Sequence, residues 1–176
     1  MGRKALERGE EAEDPAADVP PAAERAGTLV LGLGNILLSD EGVGVRAVEE
    51  LARQGPLPPD VEVLDGGTSG MDLLDQIAGR AHLVVVDAVR TGRPPASVVR
   101  LAGDEVPAFF SSRLSPHQLG LSDVLAVLQL MDAAPARITV IGVEPVCLDL
   151  DLDLSPAVAA RLPEVVALIR AELAGR

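Results

Sequence analysis

The sequence predicts an α/β fold: a single domain on a twisted, mainly parallel five-stranded sheet, with one antiparallel strand and helices on both faces. Three observations predict it. Near-continuous aliphatic runs recur at Thr28–Leu33, His82–Val86 and Ile138–Val143, the pattern of strands buried on both faces. Between them lie segments whose apolar residues repeat at helical spacing. Breaker clusters such as Gly55-Pro56-Leu57-Pro58-Pro59 separate the two kinds of segment. Alternation of this sort implies parallel strands joined by right-handed crossovers.

Residues 1–26 stand apart. They carry seven acids, four bases and Pro15, Pro20 and Pro21, with few large apolar side chains. Such a segment cannot bury enough surface to offset its ordering entropy, so it is expected to be a disordered acidic tail. The domain then spans 27–176. Its first strand, Thr28–Leu33, runs into Gly32-Leu33-Gly34 and a turn. Ser39 or Asp40 should cap the following helix, whose stripe is Val45, Val48, Leu51 and Ala52. Val61–Asp65 is the second strand, followed by the loop Gly66-Gly67-Thr68-Ser69-Gly70 and a short helix from Met71 to Ala78.

His82–Asp87 is the third strand. Ser97–Leu101 follows a connection too short for a helical crossover, so it should pair antiparallel near an edge. Residues 103–115 read as an irregular loop anchored by Phe109-Phe110. A helix then starts near Pro116-His117-Gln118, with Leu121, Val124, Leu125, Leu128 and Met131 on one face. Ile138–Val143 is the fifth strand. Leu148–Leu154 alternates leucine with aspartate and reads as an extended connection. Ser155-Pro156 opens the last helical region, which Pro163 should kink or split.

Composition narrows the function. The formal net charge is −12, which repels nucleic acid and anionic membrane surfaces, so neither is an expected partner. No apolar run approaches the ~20 residues of a membrane span, and no signal-peptide pattern opens the chain, so a cytoplasmic protein is expected. Cys147 is the only cysteine; an internal disulfide is excluded, and the residue reads as a small buried apolar side chain.

Three chemistries compete for the motifs. Gly32-Leu33-Gly34 is half of a dinucleotide fingerprint, but Leu37 stands where the third glycine belongs. Asp40 and Glu41 would also repel a pyrophosphate at that helix end. A side-chain nucleophile finds no G-x-S-x-G elbow, and of two histidines His82 opens a buried strand. The third candidate is a metal-contacting site. Glu41 follows the first strand, Asp87 ends the third, and His117 precedes a helix. Parallel strands deliver their ends to one edge, and two oxygens with one imidazole suit zinc or nickel. Each residue has a plainer reading: Glu41 as an acid at a helix start, Asp87 as a capped strand end, His117 as a helix cap.

The string Gly32-Leu33-Gly34-Asn35-Ile36-Leu37-Leu38-Ser39-Asp40-Glu41-Gly42-Val43-Gly44 resembles that of the hydrogenase maturation endopeptidases. So do Leu64-Asp65-Gly66-Gly67-Thr68-Ser69-Gly70-Met71, Asp87-Ala88 and Ser115-Pro116-His117-Gln118-Leu119-Gly120. The resemblance implies a cytoplasmic, monomeric protease that trims the C-terminal extension of the large-subunit precursor of a nickel–iron hydrogenase. It implies that Glu41, Asp87 and His117 contact nickel already held by the precursor, with zinc or cadmium able to stand in. It further implies cleavage without a serine or cysteine nucleophile. A carboxylate, Asp40 or Asp65, would then activate water in the manner of an aspartyl protease; alternatively the metal polarises the carbonyl. A non-catalytic nickel-site chaperone or adaptor would need the same three ligands but would leave the precursor's length unchanged.

Overall fold

The computed structural model describes residues 27–106 and 116–175, without the side chains of 116–119. The expected tail and the Phe109-Phe110 anchor lie outside the described residues. The strands are β1 (Thr28–Leu33), β2 (Val61–Gly67), β3 (His82–Ala88), β4 (Val98–Ala102) and β5 (Ile138–Val143). The helices are α1 (Val43–Arg53), α2 (Leu74–Ile77), α3 (Pro116–Leu130), α4 (Pro156–Ala159) and α5 (Leu162–Ala174). Short 3-10 turns at Ser39–Gly42 and Met71–Leu73 lead into α1 and α2.

The sheet order is β2-β1-β3-β5-β4. The first four strands are parallel, and β4 runs antiparallel to β5 at the edge, as its short connection requires. β1 and β3 are buried along their whole length, which explains their unbroken aliphatic runs. Their side chains alternate between two cores. Leu29, Leu31, Leu83 and Val85 face Ile77 of α2 and Leu121, Val124 and Leu128 of α3. Val30, Val84, Val86 and Ile141 face Val48 and Leu51 of α1 and Val165 and Ile169 of α5. Burial of each such side chain contributes about 1.5–3 kcal/mol. These two layers fix the sheet, and with it the position of the strand ends.

β1 has β2 on one side and β3 on the other, so the chain reverses its direction of travel across the sheet at β1. In open parallel sheets the crevice outside the carboxyl ends of the strands at that reversal is where ligands bind. Gly32 pairs with Val86, so the carboxyl ends of β1 and β3 stand side by side.

One local expectation needs correction. Neither Ser39 nor Asp40 caps α1: the N-cap is Gly42, with no side-chain bond, because both side chains are used elsewhere. Pro163 marks the split that the sequence predicts, between α4 and α5. It sits in the first turn of α5, where its missing N–H has no partner to lose, and α4 is a separate turn. Ser155 caps α4, its hydroxyl accepting from Val158 N.

At the amino end of the sheet, His82 is buried and structural. Arg137 donates to its Nδ1 at 2.8 Å, so Nε2 carries the proton and donates to Thr139 Oγ1 at 3.0 Å. Thr139 in turn donates to Glu172, which Arg100 also reaches from β4. Among the described residues no helix is long and apolar enough to cross a membrane.

Candidate active site at the carboxyl edge of the sheet

β1 passes into its turn through Gly34, whose φ of +123° an L side chain rarely adopts. A Cβ there would stand 1.7 Å from the Glu41 carbonyl oxygen. Gly34 N also donates to Gly67 O at 2.8 Å. One glycine backbone therefore holds the end of β2 on one side and the Glu41 peptide on the other. Asn35 tightens the turn by accepting from Leu37 N at 3.0 Å. The 3-10 turn that follows packs on β3 and carries Glu41, half-buried, at the β1–β3 edge.

Asp87 is the penultimate residue of β3, paired in register with Gly142, and is 3% exposed. A carboxylate buried this deeply at a strand end needs partners for its charge. Glu41 and Asp87 thus come from neighbouring elements at one edge, as the spacing predicts. His117 is the second residue of α3; its side chain lies outside the described residues. The backbone that carries it is described. α3 packs on the Met71–Leu73 turn, and Gly70 and Gly120 meet there backbone to backbone. No three metal-ligating side chains cluster among the described residues, a search that does not reach His117.

The two candidate bases part company. Asp65 pairs in register with Gly32, is exposed, and accepts from Gly67 N at 2.9 Å through Oδ1. It stands at the same edge, with solvent access. Asp40 does not line that edge. It is 0% exposed, and its carboxylate accepts four hydrogen bonds. Val146 N and Cys147 N donate to Oδ2 at 2.9 Å, Ser155 Oγ to Oδ2 at 2.9 Å, and Ser155 N to Oδ1 at 2.7 Å. This is a clamp, and the expectation that Asp40 could serve as base is corrected accordingly.

The clamp ties the connection between β5 and α4 to the Glu41 turn. Ser39, held at a φ of +47°, adds to it by donating Oγ to Asp153 O at 2.9 Å. The sequence reading missed this arrangement. Its only signal was Ser155-Pro156, which reads as a helix cap and nothing more. Glu144, 8% exposed, was also missed; it accepts from Thr91 N and Thr91 Oγ1 at 2.8 Å and from Gly92 N, and so holds the loop after Asp87. Cys147, expected to be buried, is half-exposed. Its thiol donates to Asp149 Oδ2 at 3.4 Å.

The family model for hydrogenase maturation proteases matches residues 45–172, a stretch holding Asp65, Asp87 and His117. The chain belongs to that family. It is 45% identical over 146 residues to the hydrogenase 2 maturation protease of Escherichia coli strain K12, covering 82% of this chain and 89% of that protein. It is also 45% identical over 149 residues to the hydrogenase expression/formation protein HupD of Rhodobacter capsulatus, covering 84% and 71%. Among solved structures, the protease superposes on the hydrogenase maturating endopeptidase HybD of Escherichia coli with a TM-score of 0.81 at 45% identity, over 85% of this chain and 93% of that one. The maturation protease HybD of Thermococcus kodakarensis gives 0.71 at 29% identity, over 84% and 99%. The protease therefore shares both the sequence signature and the sheet of these enzymes.

Proposed function

We propose that the protease removes the C-terminal extension of the nickel-loaded large-subunit precursor of a nickel–iron hydrogenase, in the cytoplasm and as a monomer. The nickel is part of the substrate. Glu41, Asp87 and His117 contact it and so fix the scissile bond over the carboxyl edge of the sheet. Asp65 activates the attacking water. No serine or cysteine nucleophile takes part; Cys147 is turned toward Asp149. The observation that carries this reading is the delivery of Glu41 and Asp87 to adjacent strand ends at the reversal point, with Asp65 one strand away.

Division of labour between these groups follows from their surroundings. Asp87 is buried and held by the sheet, so it is suited to a fixed contact with a cation. Asp65 is exposed, with Oδ1 accepting from Gly67 N, so its carboxylate is open to water and can take a proton from it. Positioning by substrate metal supplies the orientation that makes a weak base sufficient.

The test is a gel of precursor incubated with wild type and variants. Wild type should shorten nickel-loaded precursor and leave metal-free precursor intact. Glu41→Gln, Asp87→Asn and His117→Ala should each abolish the difference by losing cleavage. Full turnover by His117→Ala would remove the metal-reading model, and precursor of unchanged length with wild type would favour the adaptor.

A further inference from the structure

The largest exposed aliphatic side chains near the Glu41 turn are not scattered. Ile36 and Leu37 lie in the turn itself, 37% and 51% exposed, and Leu150 and Leu152 in the connection after β5, 83% and 59% exposed. These two segments pair. Leu38 and Asp151 form a parallel β-bridge, with Asp151 N donating to Leu37 O at 3.1 Å and Ser39 N to Asp151 O at 2.9 Å. The bridge sets Leu37 beside Leu150. The Asp40–Ser155 clamp and the Ser39–Asp153 bond then hold the pair rigidly to the peptide of Glu41. The result is a preformed apolar ledge whose nearer end is four residues from a candidate nickel contact.

Charge decides what the ledge takes. Its leucines alternate with Asp149, Asp151 and Asp153, all exposed, and no described cation forms an ion pair with any of the three. A second copy of this chain would bring aspartates against aspartates. The chain's own residues 1–26 carry seven acids and four bases and would be repelled as well. An extended segment mixing aliphatic and basic side chains meets both features: apolar contact with the leucines and ion pairs with the aspartates.

We propose that this ledge docks such a segment of the large-subunit precursor, close to the bond that is cut. The proposal rests on the precursor being the substrate. Rigidity matters here because a preformed surface orders only one partner on binding. The ledge sets affinity and register, while the carboxyl-edge residues carry the chemistry.

The test is steady-state cleavage of nickel-loaded precursor by Leu150→Asp/Leu152→Asp and by Asp149→Asn/Asp153→Asn. These side chains are exposed, so both variants should keep the wild-type melting temperature. The first variant should raise KM about tenfold or more and leave kcat within about twofold. The second should flatten the rise of KM with salt that is expected of wild type. Unchanged KM and salt dependence in both variants overturns the ledge while leaving the protease reading intact. A KM that falls on deleting residues 1–26 from wild type, or a dimer in wild type that the leucine variant splits without changing KM, would assign the ledge to another occupant and overturns it too. Wild type that leaves the precursor uncut overturns the functional reading itself.

Discussion

Gly70 and Gly120 lie against each other so closely that a Cβ on Gly120 would stand 3.0 Å from the Gly70 Cα. This contact sets how near α3 comes to the loop after β2, and His117 is one helical turn before it. Gly120→Ala gains up to about 1 kcal/mol of helix propensity, which offsets the crowding. Its melting temperature should therefore change little. The first turn of α3 should nevertheless move away from the strand ends, and cleavage should fall by about ten- to a hundredfold. Wild-type turnover in Gly120→Ala would show that the approach of α3 does not govern the site.

Asp40→Ala should be among the most destabilising single changes. It leaves three backbone amides and a hydroxyl without their acceptor beneath the surface, at about 1–3 kcal/mol for each group that water does not reach. Urea unfolding measures the loss. Asp40→Asn keeps the shape but turns an NH2 group toward donors, so it should fall between wild type and alanine. Stability equal to wild type in both variants would contradict the clamp.

Asp65→Asn separates the base from the scaffold. The amide oxygen can still accept from Gly67 N, so the turn and the melting temperature should be preserved. Removal of a general base lowers kcat by about 10²–10⁴-fold. A kcat within about twofold of wild type would move the proton-accepting role elsewhere.

Acid stability should depend on Glu172. The Arg100 hydrogen bond is the main reason its carboxyl titrates below the ordinary value of 4.5, with burial opposing and Thr139 assisting. A carboxyl lowered on folding contributes stability above its unfolded value and loses it as pH falls through the folded one. Arg100 is largely exposed, so the contribution is about 1 kcal/mol or less. Arg100→Met should lower the urea midpoint at pH 7, and the gap to wild type should close below pH 4.5. A gap that persists in acid would point to lost packing.

Much of this fold was legible because its causes are local. β1, β3 and β5 announce themselves by aliphatic runs, and the eight residues from Val89 to Ala96 are too few for a crossover, which makes β4 antiparallel. Glu41 and Asp87 could be placed at one edge because parallel strands end together. Asp40 could not be read correctly, since its four donors come from residues more than a hundred positions away. Nothing beside Asp40 in the chain distinguishes it from Glu41. The pairing of Leu38 with Asp151 is hidden for the same reason, although the alternation over Leu148–Leu154 reads as extended.

The Arg137–His82–Thr139 chain at the opposite end of the sheet has a practical consequence. Everything proposed to touch precursor lies at the other rim, a full strand length away. Engineering for heat tolerance can be confined to residues 82, 137 and 139 and their neighbours without retuning turnover. Loss-of-function variants that map there would report on cellular abundance, with each surviving molecule still competent.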